Sequence, residues 1–199
     1  MRSQLWVIGV IAAWGAGADA AQADIIVDFE ALTHGVPAGS AYAGVGLSFS
    51  GNAQGFVHRR AGGDARFSNN PSGDVVLGWS HDRSLFINAE SGFVDEIGLH
   101  YSTRRRNTTL SLWSGENGTG DLLASFRLPR NDGRRHANWD EILVPFTGVA
   151  RSVQLHGAPG AMTYLDDFSF TPAPLPGAMG LVAAGLACAA ACRRRMRTV

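Results

Sequence analysis

Hydrophobic positions recur at every second residue in several short runs of this chain. The clearest are Ile97, Leu99 and Tyr101; Leu110 and Leu112; and Ile142, Val144 and Phe146. Successive side chains of a strand point to opposite faces, so these runs predict half-buried β-strands. Ten candidates follow one another at close spacing: residues 24–29, 45–50, 74–79, 84–88, 93–101, 108–114, 122–127, 141–146, 152–156 and 164–170. Gly, Asn, Asp and Pro punctuate them, as turns require. No segment between residues 24 and 171 carries a sustained i, i+3, i+4, i+7 stripe, so little helix is expected. Short strands with edges to hide predict an all-β fold of two packed antiparallel sheets, a β-sandwich of jelly-roll type.

The two ends follow a different pattern. Met1-Arg2 is followed by an apolar run from residue 5 to 17 and then by small residues. Ala21-Gln22-Ala23 fits an A-x-A cleavage pattern, which predicts a signal peptide over residues 1–23 with cleavage between Ala23 and Asp24. An N-terminal anchor helix is the competing reading, but the run is shorter than the roughly 20 residues a span needs. At the other end, residues 172–199 hold a proline spacer, an apolar segment over residues 177–192 and a terminal cluster that includes Arg193, Arg194 and Arg195. Sixteen helical residues cover about 24 Å, short of a ~30 Å hydrocarbon core. Arginines resist crossing a bilayer and hold their end on the cytoplasmic side. The body between, residues 24–171, is expected outside the cytoplasm as one domain.

Pro174-Leu175-Pro176-Gly177, the short Ala/Gly/Leu segment and the arginine cluster together resemble the PEP-CTERM sorting signal of exported Gram-negative proteins, in a variant close to Val-Pro-Leu-Pro-Ala. The resemblance implies delivery by the secretion machinery, a transient inner-membrane stage with the C-terminus cytoplasmic, and recognition by an exosortase-type transpeptidase that cuts near the proline motif. Leu175 stands where the commonest form has Glu. A permanently anchored surface protein is the alternative. The body resembles the same family through Asp28-Phe29-Glu30, Gly35-Val36-Pro37-Ala38-Gly39 and Gly44-Val45-Gly46-Leu47-Ser48-Phe49 near its start, and through Tyr164-Leu165-Asp166-Asp167-Phe168-Ser169-Phe170 at its end. Such bodies look like carbohydrate-binding sandwich modules.

Composition then narrows the chemistry. Formal net charge is zero over the whole chain, yet residues 24–171 hold twelve arginines and no lysine against sixteen acids, a balance of about −4. That argues against a nucleic-acid binder by bulk charge. Both cysteines, Cys188 and Cys192, lie in the tail, so the body has no disulfide framework, thiol nucleophile or Cys-based metal site.

Four acids attract attention because they mark the first and last strands: Asp28, Glu30, Asp166 and Asp167. If those strands are neighbours, the carboxylates can converge on a structural Ca²⁺, which takes six to eight hard oxygens in irregular geometry. The competing reading is solvent-facing strand acids. A glycosidase pair is a further alternative, but it needs two carboxyl groups about 5 to 9 Å apart across a cleft. Gly-x-Ser-x-Gly, His-Glu-x-x-His and a phosphate-binding Gly-x-x-x-x-Gly-Lys loop are all absent. The six histidines are scattered and read as surface or loop residues.

Trp113 is expected to share an outward face with Thr109 and Ser111, where an indole can stack on a sugar ring; core packing is its other reading. Trp79 and Trp139 lie near strand ends. Arg104-Arg105-Arg106 and Arg134-Arg135 fall in expected loops, either as solvated hairpin residues or as contacts to anionic polysaccharide. The sequence thus predicts a non-catalytic exported protein of the cell surface or extracellular matrix, adhesive or weakly glycan-binding. A secreted polysaccharide-acting hydrolase is the alternative.

Overall fold

The computed structural model describes residues 23–79, 84–104, 106–131, 134–157 and 162–174. Ten strands fill most of this: β1 (Ile25–Val27), β2 (Leu47–Gly51), β3 (Ala53–Val57), β4 (Val75–Trp79), β5 (Ser84–Arg104), β6 (Thr108–Trp113), β7 (Leu122–Leu128), β8 (Asp140–Pro145), β9 (Ala150–Gly157) and β10 (Met162–Pro172). The fold is all-β and every strand pairing is antiparallel.

The architecture turns on β5. Two separate strands expected at 84–88 and 93–101 are one strand of 21 residues. Its first half pairs with β2 and β9, and its second half with β8 and β10. The join is bent at Gly92 (φ +90°) and Asp95 (φ +64°), with a register shift against β9 between Asn88 and Phe93. A Cβ on Gly92 would sit 2.4 Å from Val149 Cγ1, so both its conformation and its surroundings select glycine. The sequence shows a turn-like break there, and the fold uses it to pass the chain from one layer to the other.

One layer therefore runs β2-β5-β9-β6-β7, and the other β3-β4-β10-β5-β8, with β1 continuing along β10 beyond β4. Leu85, Ile87, Leu110, Leu112, Val153 and Leu155 from the first meet Leu77, Ile97, Leu99, Leu165, Phe168 and Phe170 from the second in one core. Each such side chain contributes about 1.5–3 kcal/mol when fully buried.

β3 was not expected from sequence. Ala53-Gln54-Gly55-Phe56-Val57 lacks a hydrophobic alternation, and Gly55 argues against a strand interior. The structure explains the glycine: a Cβ at Gly55 would lie 2.7 Å from Leu32 Cβ, because the segment after β1 crosses over it. Trp79, near a strand end, packs into the core. One expectation on histidine needs correction: His136 is 1% exposed rather than a surface histidine. Ala21, Leu175, Pro176, Gly177, Arg193, Arg194 and Arg195 lie outside the described residues, as do residues 1–22 and 175–199 as a whole. The proline spacer begins inside the fold, with Pro172 ending β10 and Ala173 buried. Among the described residues no helix is long and apolar enough to cross a membrane.

Candidate functional site

The outer face of the first layer is built from three cross-strand rows. Ser84, His156 and Thr109 form one; Phe86, Gln154 and Ser111 the next; Asn88, Ser152 and Trp113 the third. Their neighbours in sequence, Leu85, Ile87, Val153, Leu155, Leu110 and Leu112, are the core positions, so strand alternation alone places these nine outward. Trp113 thus shares a face with Thr109 and Ser111, as its sequence position predicts.

Its indole is half-buried, and its only polar atom is already committed: Nε1 donates to Gln154 Oε1 at 3.1 Å. Gln154 Nε2 donates in turn to Ser84 Oγ at 3.5 Å, and Ser84 Oγ lies 2.7 Å from His156 Nδ1. This relay fixes the indole's orientation. A fixed aromatic ring beside hydroxyl and amide groups is the arrangement that stacks a sugar and hydrogen-bonds its hydroxyls. Phe86, also half-buried, adds a second ring one row away.

The loop joining β6 to β7 folds against one end of this face. Asn117 adopts φ +54°; its N–H donates to Asn88 Oδ1 at 2.8 Å, and its Oδ1 accepts from Asn88 Nδ2 at 3.1 Å and from Ser50 Oγ. Gly118 N donates to Ser152 Oγ at 3.0 Å, and Ser152 Oγ donates to Gly115 O at 2.6 Å. A Cβ on Gly118 would lie 2.8 Å from Phe86 Cε1, so the loop can only close this tightly on glycine. Sequence reasoning missed this clamp because its partners are 29 to 67 residues apart.

The four acids of the terminal strands are partly brought together. β1 and β10 do pair, with Ile25 opposite Phe170. Asp166 is 0% exposed and accepts from Ser72 Oγ at 2.8 Å, Ser72 N at 3.1 Å, Asp167 N at 3.0 Å and Asn70 Nδ2 at 3.4 Å. Glu30 Oε1 accepts from Asp74 N and Val75 N, at 2.9 and 2.8 Å, and Asp28 Oδ1 from Glu30 N at 3.1 Å. Asp167 sits at φ +46° in a bulge, where the register of β10 slips against β5. Two of the carboxylates, Asp166 and Glu30, therefore gather around residues 70–75, but as acceptors of backbone and side-chain donors. Among the described residues no group of three or more His, Cys, Asp or Glu is arranged to hold a metal ion. Burial pushes the Asp166 carboxyl up to about 6, although the donors from Ser72 and Asp167 favour its charged form.

No family model and no curated protein matches this chain. Among solved structures, the K2 cleaved adhesin domain of Lys-gingipain is similar at a TM-score of 0.54 and 13% identity, covering 75% of this chain and 99% of that one. The K1 cleaved adhesin domain of Lys-gingipain from Porphyromonas gingivalis W83 is similar at a TM-score of 0.50 and 9% identity, over 76% and 99% of the two chains. CsCBM6-3 from Clostridium stercorarium, solved with cellobiose, has a TM-score of 0.43 at 16% identity, over 75% and 94%. The chain shares the fold of the cleaved adhesin domains.

The outer face of the second layer, by contrast, is covered over β4 and β10, although Leu143 on β8 stays exposed. Val76 on β4 and Tyr164 on β10 point away from the main core and pack with Ala65, Phe67, Phe56 and Trp139 in a second cluster. His136 packs on Tyr164 with ring centroids 4.4 Å apart and planes tilted by 43°, and its Nδ1 lies 3.2 Å from both Ser102 O and Ser102 Oγ. Burial holds its imidazole down to about 4, so it is neutral at ordinary pH. Trp139 is half-buried here with Nε1 on Ser68 O at 3.1 Å.

Proposed function

We propose that this chain is a non-catalytic binding domain of the cell surface or extracellular matrix, which holds neutral polysaccharide on the outer face of its first layer. The observation that carries this reading is the half-buried Trp113, oriented by Gln154 on a face where Ser84, Thr109 and His156 stay open. An adhesive role is supported by the shared fold, since the similar gingipain segments are named as adhesin domains. Export through a signal peptide over residues 1–23 and sorting at Pro174-Leu175-Pro176-Gly177 by an exosortase-type enzyme belong to the same proposal. Their support is the order of proline spacer, apolar segment and arginines in the sequence. Intact-mass measurement on protein from its host tests this part: a species from Asp24 to near Pro176 is expected, and a retained arginine cluster overturns it.

Two arrangements bear on the hydrolase alternative, and each lends it only part of what it needs. Asp166 has the proton affinity of a general acid, but it is fully buried and cannot touch a glycosidic oxygen. Ser84 and His156 have the spacing of a nucleophile and base, yet among the described residues no carboxylate bonds His156 as the orienting third member. Structural Ca²⁺ at Asp28, Glu30, Asp166 and Asp167 stays within the proposal. Melts in calcium and in chelator test it, because an ion bound only to the native state raises the midpoint; identical midpoints overturn it. The binding reading is tested on a glycan array with wild type and Trp113→Ala, where the variant is expected to lose at least about tenfold in affinity.

A further inference from the structure

The loop after β3 and the loop before β8, which together cover the second layer, leave a groove of about 450 Å³ between them. Its walls carry Arg59 and Arg66 on one side and Arg134 and Arg135 on the other, with Phe67 and His58 between. The volume falls within the range of small-ligand sites, about 300–1,000 Å³.

Three features distinguish this from a chance collection of solvated arginines. First, the walls are tied together. Ser68 N donates to His136 O at 3.2 Å, Asn69 Nδ2 to Ala137 O at 3.2 Å and Trp139 Nε1 to Ser68 O at 3.1 Å. Arg135 and His136 both adopt left-handed backbone, φ +60° and +52°, which turns Arg134 and Arg135 outward while His136 anchors beneath on Tyr164. Second, Phe67 is fixed in the floor by edge contacts to His58, Trp139 and Tyr164 at 5.0, 6.4 and 5.8 Å. Third, among the described residues two acids close in sequence, Asp64 and Asp74, are engaged elsewhere. Asp64 is 3.0 Å from His34 Nε2, and Asp74 is 2.5 Å from Arg60 Nε. Among the described residues none of the four groove arginines takes part in an ion pair. Four guanidinium groups around one space repel one another, in a body whose overall balance is about −4.

We propose that this groove is a second binding site, selective for a uronate-bearing polysaccharide. It is separate from the Trp113 face and shares with that reading only the polymer class. Guanidinium forks match carboxylates in paired hydrogen bonds. Two opposed pairs of arginines therefore suit a chain bearing a carboxylate on successive sugars. The acidic remainder of the body opposes denser polyanions such as nucleic acid, which need a broad basic surface.

The test uses protein recovered from its host and titrated with polygalacturonate, neutral dextran and a single-stranded oligonucleotide at low and high salt. With the Trp113 face disabled by Trp113→Ala, the protein is expected to bind polygalacturonate at least about tenfold more tightly than either other polymer, with the preference weakened by salt. R66Q/R134Q is expected to lose at least about tenfold of that affinity while keeping its melting midpoint, and R151Q, remote in sequence from both loops, to stay within about twofold. R59Q/R135Q repeats the test should the first pair fail to fold. Trp113→Ala is expected to leave polygalacturonate binding unchanged, so each site stands or falls by itself. Equal loss in R151Q, no preference over dextran once Trp113 is replaced, or oligonucleotide bound as tightly as polygalacturonate overturns the proposal.

Discussion

The outer faces of the two layers are made from the same strand alternation and end as opposites. On the first, the outward positions are mostly polar, with Phe86 and one fixed Trp. Ser84, Thr109 and His156 stay open, while Asn88 and Ser152 are buried under one short clamp loop and Ser111 is buried beside Ser125. On the second, the outward positions Val76 and Tyr164 are apolar and lie under two loops with their own aromatic cluster. The contrast shows that an outward position in a sandwich is not by itself a surface position. What decides is whether a loop long enough to cover it carries apolar residues to match, as residues 58–74 do with Ala65 and Phe67.

The largest effect that would break this comparison is loss of the covering cluster. Tyr164→Ala is expected to cost about 3–5 kcal/mol, as for a buried aromatic, because it removes the ring that His136, Phe56 and Phe67 all contact. Chemical denaturation measures it. A loss below about 1 kcal/mol would mean that the second face is a surface after all.

Next in size is the pH response of two buried groups beneath or beside those loops, which have opposite signs. Asp166 is raised to about 6 in the folded state, so its contribution is fully present below its unfolded value near 4 and is lost as pH rises through 6. The shift corresponds to about 3 kcal/mol at most across that window. His136 is lowered to about 4, so its contribution is present above its unfolded value near 6.5 and is lost as pH falls through 4. Melting profiles of Asp166→Asn and His136→Gln between pH 4 and 8 should each remove one of these slopes. If both variants keep the wild-type profile, the groups are not buried as described.

Smaller still is the clamp on the first face. Gly118→Ala places a Cβ against Phe86 at a φ of +72°, and a loss of about 1–2 kcal/mol in the same denaturation assay is expected. Thr109→Ala, on the half-open row beside it, should stay within about 0.5 kcal/mol.

The same contrast sorts what could be read from sequence. Ile97, Leu99 and Tyr101 and the pair Leu110 and Leu112 announce their strands and their inward face, and with them the outward place of Trp113. Period-2 alternation is local, so it survives in sequence. β3 is silent because its glycine answers to Leu32, more than twenty residues earlier in the chain. The continuity of β5 is hidden because its bend uses the same residues as a turn. His136 reads as a loop histidine, and only the tertiary contact with Tyr164 buries it. The groove arginines come from two loops about seventy residues apart, and no spacing pattern links them. Asp166 and Glu30 were legible as neighbours across the paired ends, but the loop donors that occupy them were not.

The most direct measurement is binding of neutral oligosaccharides to wild type and to Trp113→Ala, with reducing ends assayed in the same samples. Saturable binding by the wild type, weakened at least about tenfold in the variant and with no reducing ends released, is the predicted result. Equal affinity in the two proteins, or release of reducing ends by the wild type, would contradict a non-catalytic site on the first face.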